Sequence, residues 1–175
     1  MKKVLELRYY GDPILREKAE PVKKINEYIK KLAQEMIDTM EFYDGAGLAA
    51  NQVGEKISLF VVSGKVLGEN EKPLIVINPV IIDIWGKSVM EEGCLSIPGI
   101  YAEVERPLGV HLKYINIDGE EKDLKAEELL ARVIFHEYDH LNGVLFWDRL
   151  DRETKRILIA QFRKNFYTRE KKIKV

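Results

Sequence analysis

Apolar residues at Ile25, Ile29, Leu32, Met36 and Met40 recur every three to four positions, the spacing of a helix with one buried face. The pattern predicts a helix that begins after Pro21 and ends near Tyr43-Asp44-Gly45. Short β-branched runs at 57–62, 74–84 and 109–117 follow, separated by Gly, Asn, Pro and Asp, and they read as strands of a largely antiparallel sheet. Asp118-Gly119 marks a turn. Helical spacing then returns at Leu129, Leu130, Val133, Ile134 and Leu141 and stops at Asn142-Gly143. A third helix is expected after Asp151, a candidate N-cap, carrying Ile157, Leu158, Ala160 and Phe162. Neither an internal repeat nor a low-complexity linker interrupts the chain. The expectation is a single domain over residues 1–175 of the α+β class, with antiparallel sheets packed around a central helix and a C-terminal helix.

Composition sharpens this picture in three places. The 175 residues are 46% hydrophobic, enough for a core without a partner, and oligomeric state is left open. No apolar run reaches membrane-spanning length and no secretion signal opens the sequence, so no membrane association and a cytoplasmic location are expected. A lone cysteine, Cys94, cannot form an internal disulfide, which fits a reducing compartment and frees the thiol for packing, catalysis or metal. Net charge is −1, so no overall basic field points to nucleic acid. Residues 152–175, however, carry nine Lys and Arg against Glu153 and Glu170, a basic tail of net +7.

The chemistry begins with His136-Glu137-Tyr138-Asp139-His140. Residues four apart on a helix lie one turn apart on the same face, so His136 and His140 can offer two imidazoles to one ion. Glu137 is rotated about 100° from His136, beside such an ion rather than on it, where a carboxylate accepts a proton from water. The motif names a broad class, metal-assisted hydrolysis; the bland alternative is a solvated helix face. Asp139 is expected either to accept from a ring nitrogen of a ligand histidine or to face water. His111 lacks ligand spacing and reads as structural.

A catalytic site of this type takes a third protein ligand. Downstream of the motif stand Asp148, Asp151 and Glu153; upstream stands Cys94 in Glu91-Glu92-Gly93-Cys94-Leu95-Ser96. A free cysteine most often packs as a small hydrophobe, yet Gly93 admits close approach of backbone, and an extended segment here leaves the Leu95 amide free to face a cleft. Thiolate with two imidazoles suits zinc, iron(II), cobalt or nickel. The segment Gly45-Ala46-Gly47-Leu48-Ala49-Ala50-Asn51-Gln52 has two readings as well: a helix end and turn, or a small-residue surface for a peptide backbone with the Gln52 amide donating to an oxyanion.

Residues 45–52, 92–97 and 136–140 together resemble the three signature motifs of peptide deformylases. Gly11-Asp12-Pro13-Ile14-Leu15-Arg16, Ile77-Asn78-Pro79 and Leu141-Asn142-Gly143-Val144-Leu145 are similar to that family too. Phe135 and Asn51 depart from it, standing where Gln and where Pro or Thr are frequent. The resemblance implies removal of the N-formyl group from formylmethionine at the start of newly made polypeptides, releasing formate. It implies one divalent ion, foremost iron(II) with zinc, nickel or cobalt as alternatives, held by Cys94, His136 and His140. It further implies Glu137 as acid and base, and Gln52 with the Leu95 amide as oxyanion donors. Gly47 would lie beside the substrate backbone, with Ala46, Met90, Leu129 and Val133 forming the methionine pocket. Arg106 is expected to pair with a carboxylate such as Glu92. The basic tail is either a solvated helix face or a contact to ribosomal RNA near the nascent chain. A general zinc endopeptidase and a non-catalytic metal-binding homologue are the competing readings.

Overall fold

The computed structural model describes the backbone of residues 2–173 and the side chains through residue 166. Helix α1 (Glu27–Phe42) starts at Asn26, whose side-chain oxygen accepts from the Ile29 amide at 3.0 Å, and Tyr43 ends it. Strands β1 (Gly47–Ala49), β2 (Leu59–Val62) and β3 (Leu74–Trp85) follow, with the single-turn α2 (Gly64–Leu67) between the last two. Next come β4 (Ser88–Cys94), β5 (Ile97–Arg106), β6 (Gly109–Ile115) and β7 (Glu121–Glu127). Helix α3 (Glu128–Leu141), a 3-10 turn at Phe146–Arg149 and helix α4 (Arg152–Ile173) complete the order. Asp151 caps α4 as expected, its carboxylate accepting from the Glu153 and Thr154 amides.

All strand pairs are antiparallel. Five strands make one sheet in the order β1-β2-β3-β6-β7, and β4 with β5 forms a separate hairpin. Strand β2 explains why the sequence there is continuously apolar: Leu59 and Val61 pack towards α1, while Phe60 and Val62 pack towards α3. The sheet is thus buried on both faces where α1 and α3 cover it. On its other side α3 meets the hairpin, so it sits centrally, as the α+β expectation required. A third cluster joins Ile97, Ile100 and Val104 of β5 to Phe146, Trp147 and Phe162, which seats α4. Phe162 is 3% exposed, so the first half of the basic tail is core as well as surface. Side chains beyond residue 166 lie outside the described residues. No helix among the described residues is long and apolar enough to cross a membrane.

The helix stop at Gly143 has a steric reason. Its φ is +70°, and a Cβ there would lie 2.4 Å from the carbonyl oxygen of Arg16. The chain therefore turns sharply behind α3 and holds the N-terminal segment close.

Candidate active site

Helix α3 carries His136 and Glu137 at the wall of one cleft with His140 buried behind them, and the β4–β5 hairpin brings Cys94 against the two histidines. Cys94 Sγ lies 3.3 Å from His140 Nε2, and one ligand atom from each of Cys94, His136 and His140 falls within 4.8 Å of the others. Asp148, Asp151 and Glu153 are not part of this group: Asp148 pairs with Arg16 and Lys155, and Asp151 caps α4. His136 Nδ1 is 3.0 Å from Glu92 Oε2, which leaves Nε2 to face the donors. A thiol and two imidazoles in this arrangement fit a borderline-soft divalent ion.

The partner of His136 is Glu92, not Asp139. Asp139 is buried and accepts instead from Arg106 Nη1 at 2.8 Å and from Arg149 at 3.0 and 2.6 Å, so neither expectation for it holds. Arg106 also grips Glu92 through Nε at 2.5 Å and Nη2 at 3.0 Å, as expected, and Arg132 reaches the same carboxylate at 2.9 Å. Four buried charged groups, Glu92, Arg106, Arg132 and Asp139, thus form one network under the site with the half-exposed Arg149, and every carboxylate oxygen is occupied by a donor. Charges this deep persist only when paired and hydrogen-bonded.

Burial and this network set the protonation of the site. Burial raises Glu92, but bonds from His136 and Arg106 outweigh it and hold the carboxyl well below the usual range. For His136 burial acts downward, and contacts with Cys94 and Glu92 overcome it to hold the imidazole above its ordinary value. Burial, reinforced by His136, keeps His140 well below its ordinary value. Glu137 is pushed up to about 7, chiefly by burial. Its Oε2 is buried with no hydrogen-bond partner among the described residues.

Gly47, at the start of β1, lies directly over Glu137. A Cβ at this position would sit 2.6 Å from Glu137 Oε1 and 2.8 Å from its Cγ. Gly47→Ala is therefore expected to displace the Glu137 carboxylate and lower kcat at least about tenfold with little change in melting temperature. Steady-state kinetics beside a thermal melt would check the split.

Gln52 falls in a 3-10 turn, Ala50–Val53, that follows β1. Its Oε1 accepts from the Ala49 amide at 2.9 Å, which turns Nε2 towards Ser96 Oγ at 3.1 Å and Cys94 Sγ at 3.5 Å. Ser96 is fully buried and was not anticipated from sequence. Leu95 and Ser96 are not extended, contrary to expectation. They form the two-residue turn of the hairpin, beyond which Cys94 pairs with Ile97. The N-terminal segment ties both loops: Arg8 donates to the Gln52 carbonyl at 2.7 Å and Tyr10 to the Ser96 carbonyl at 2.9 Å.

These residues open into a cavity of about 700 Å³. Gly47, Gln52, Cys94, His136 and Glu137 line its polar end, and Ala46, Leu95, Leu129 and Val133 its apolar wall. Leu7, Tyr9, Tyr101 and Phe166 stand at other points of the wall. Met90 departs from expectation. It is half-buried in β4 and lies outside the residues lining the cavity, which take up this strand only from Glu91 onward.

A cleft that gathers three metal-type donors beside a buried, unpartnered carboxyl defines a metal-dependent hydrolase. Residues 4–156 match the profile of the family described as Polypeptide deformylase. A peptide deformylase of Clostridium botulinum is 52% identical over 143 residues, 82% of this chain and 94% of that protein. The crystal structure of a peptide deformylase from Legionella pneumophila superposes with a TM-score of 0.89 at 34% identity, covering 95% of this chain and 98% of that one. The Ehrlichia chaffeensis peptide deformylase, solved in complex with actinonin, gives 0.87 at 35% identity, covering 93% and 98%. The chain belongs to the polypeptide deformylase family.

Proposed function

We propose that this protein hydrolyses the N-formyl group from N-formylmethionine at the head of newly made polypeptides, releasing formate and a free amine. The observation that carries this reading is the Cys94, His136 and His140 group, which meets the cavity through Cys94 and His136 beside Glu137, a wall residue whose Oε2 has no partner among the described residues. Cys94, His136 and His140 would hold one divalent ion, iron(II) in our reading, with zinc, nickel or cobalt able to take its place. When bound, such an ion supplies a Lewis acid that acidifies water and polarises a carbonyl oxygen.

Glu137 takes the proton of the attacking water and returns it to the leaving amine as the carbon–nitrogen bond breaks. The Gln52 amide and the Leu95 backbone amide donate to the oxyanion, each worth about 10²- to 10³-fold. Gly47 leaves room for the substrate backbone, and Ala46, Leu129 and Val133 receive the methionine side chain, an apolar and flexible thioether. Glu92 orients His136, and the arginines neutralise Glu92.

A formyl-Met tripeptide is expected to release formate, while an unformylated peptide with internal bonds is left intact; cleavage of the second would favour an endopeptidase. A metal-loaded sample without turnover on either would favour a non-catalytic homologue. Cys94→Ala is expected to lose most of its metal on anaerobic purification. Metal content equal to that of the unaltered chain would place the third ligand elsewhere.

The compartment we assign is the cytoplasm, where such chains emerge. We also assign the basic tail to ribosomal RNA, whose phosphates attract cations with little dependence on sequence. Phe162 must stay in any test, since it is part of the core. Changing Arg169, Lys171, Lys172 and Lys174 to Gln should weaken ribosome co-sedimentation at low salt and leave tripeptide deformylation unchanged. Undiminished co-sedimentation would leave the tail a solvated face.

A further inference from the structure

We infer that Asn51 is a positioning residue for the ligand histidine His140, acting on both its backbone and its ring. Asn51 is 1% exposed and stands in the 3-10 turn one residue before Gln52. Its Nδ2 donates to the His140 carbonyl at 2.6 Å, which pins the last turn of α3 where the ligand sits. Its Oδ1 is a buried acceptor without a partner among the described residues, and His140 Nδ1 is a buried ring nitrogen in the same condition. The two needs are complementary. A ring that holds an ion through Nε2, the atom 3.3 Å from Cys94 Sγ, carries its proton on Nδ1 and is a donor there. Leaving such buried groups unsatisfied is costly, and no direct bond joins them, so one buried water bridging the two would relieve both.

Asn51 then does for His140 what Glu92 does for His136. It fixes the tautomer and aim of the ring, but through a neutral amide rather than a carboxylate. The two ligand histidines are consequently held by partners of different charge, and the Nδ1–H of His140 is the more weakly polarised.

The inference rests on reading His140 as a ligand, and the experiment separates the two claims. In the cobalt-loaded protein, the exchangeable ring N–H signals of both histidines are expected to be resolved by NMR and slow to exchange. In Asn51→Leu the His140 signal should shift and exchange faster while the His136 signal stays. Loss of metal to a chelator should quicken about tenfold. Asn51→Thr, which returns one oxygen, should recover part of both; it also serves if the Leu variant does not fold. Unchanged histidine signals and metal retention in Asn51→Leu would overturn the role of Asn51. Failure of the unaltered chain to bind cobalt, or loading without two histidine signals, would overturn the ligand reading itself.

Discussion

Glu137→Gln is expected to give a folded protein that still loads metal but deformylates about 10²- to 10⁴-fold more slowly, the range contributed by a positioned proton carrier. The substitution is nearly isosteric, so the tight contact with Gly47 is preserved. It adds no unpaired buried charge, and the oxygen that changes has no partner among the described residues to lose. The fold should therefore keep its melting temperature within a few degrees. What disappears is a carboxyl that burial has pushed up to about 7, close to the pH at which one group can both take and give a proton. In the proposed reaction Glu137 meets the reacting atoms and the apolar wall the side chain, so the loss should fall on kcat rather than KM. A metal-replete Gln variant within about threefold of the parent rate would assign the proton to another group.

Arg106→Ala should have the largest effect on stability. It removes three hydrogen bonds at once, two from Glu92 and one from Asp139, in a region almost closed to solvent. Breaking a buried ion pair costs about 3 to 5 kcal/mol. Glu92 keeps Arg132 and His136, and Asp139 keeps Arg149, so the lower half of that range is expected. For a chain of this length the melting temperature should fall by roughly 6 to 16 °C. The dependence on acid follows from the sign of the Glu92 shift. Its pKa is depressed in the fold, so its contribution is complete above the ordinary carboxylate value and lost as pH falls towards the folded value. Without Arg106 the depression is smaller. The gap between parent and variant should then be widest near neutral pH and narrow as acid protonates Glu92 in both. A gap that stays constant as pH falls far below the ordinary carboxylate range would mean that lost packing, not charge, carries the effect.

Helices α1 and α3 and strands β2, β3 and β6 were legible because their buried faces are apolar and repeat with the period of the element. The hairpin was not. Its inward face carries Glu92 and Arg106, and hydrophobic patterning assigns charged residues to water; they are inside only because they neutralise each other and are held by Arg132, His136 and Asp139. Strand β7 was missed for the opposite reason. As an edge strand it is mostly exposed and charged, and buries only Ala126 fully. At the site, the donors were readable from residue type and the fixed geometry of one helix turn. Ser96, the turn at Leu95 and the true partners of Asp139 depend on residues distant in sequence, which no local period reports.

The N-terminal segment has a consequence for how this molecule comes into being. Tyr10 packs edge-on against Trp147 at 4.7 Å and against Phe162 at 5.7 Å, and Tyr9 meets Phe166 at 5.5 Å, the last pair standing in the cavity wall. These contacts join residues more than 130 positions apart. Closing so long a loop must precede any gain from the contact, and such contacts form late in folding. A protein that acts on other chains as they emerge thus cannot finish its own cleft until its last helix has been synthesised.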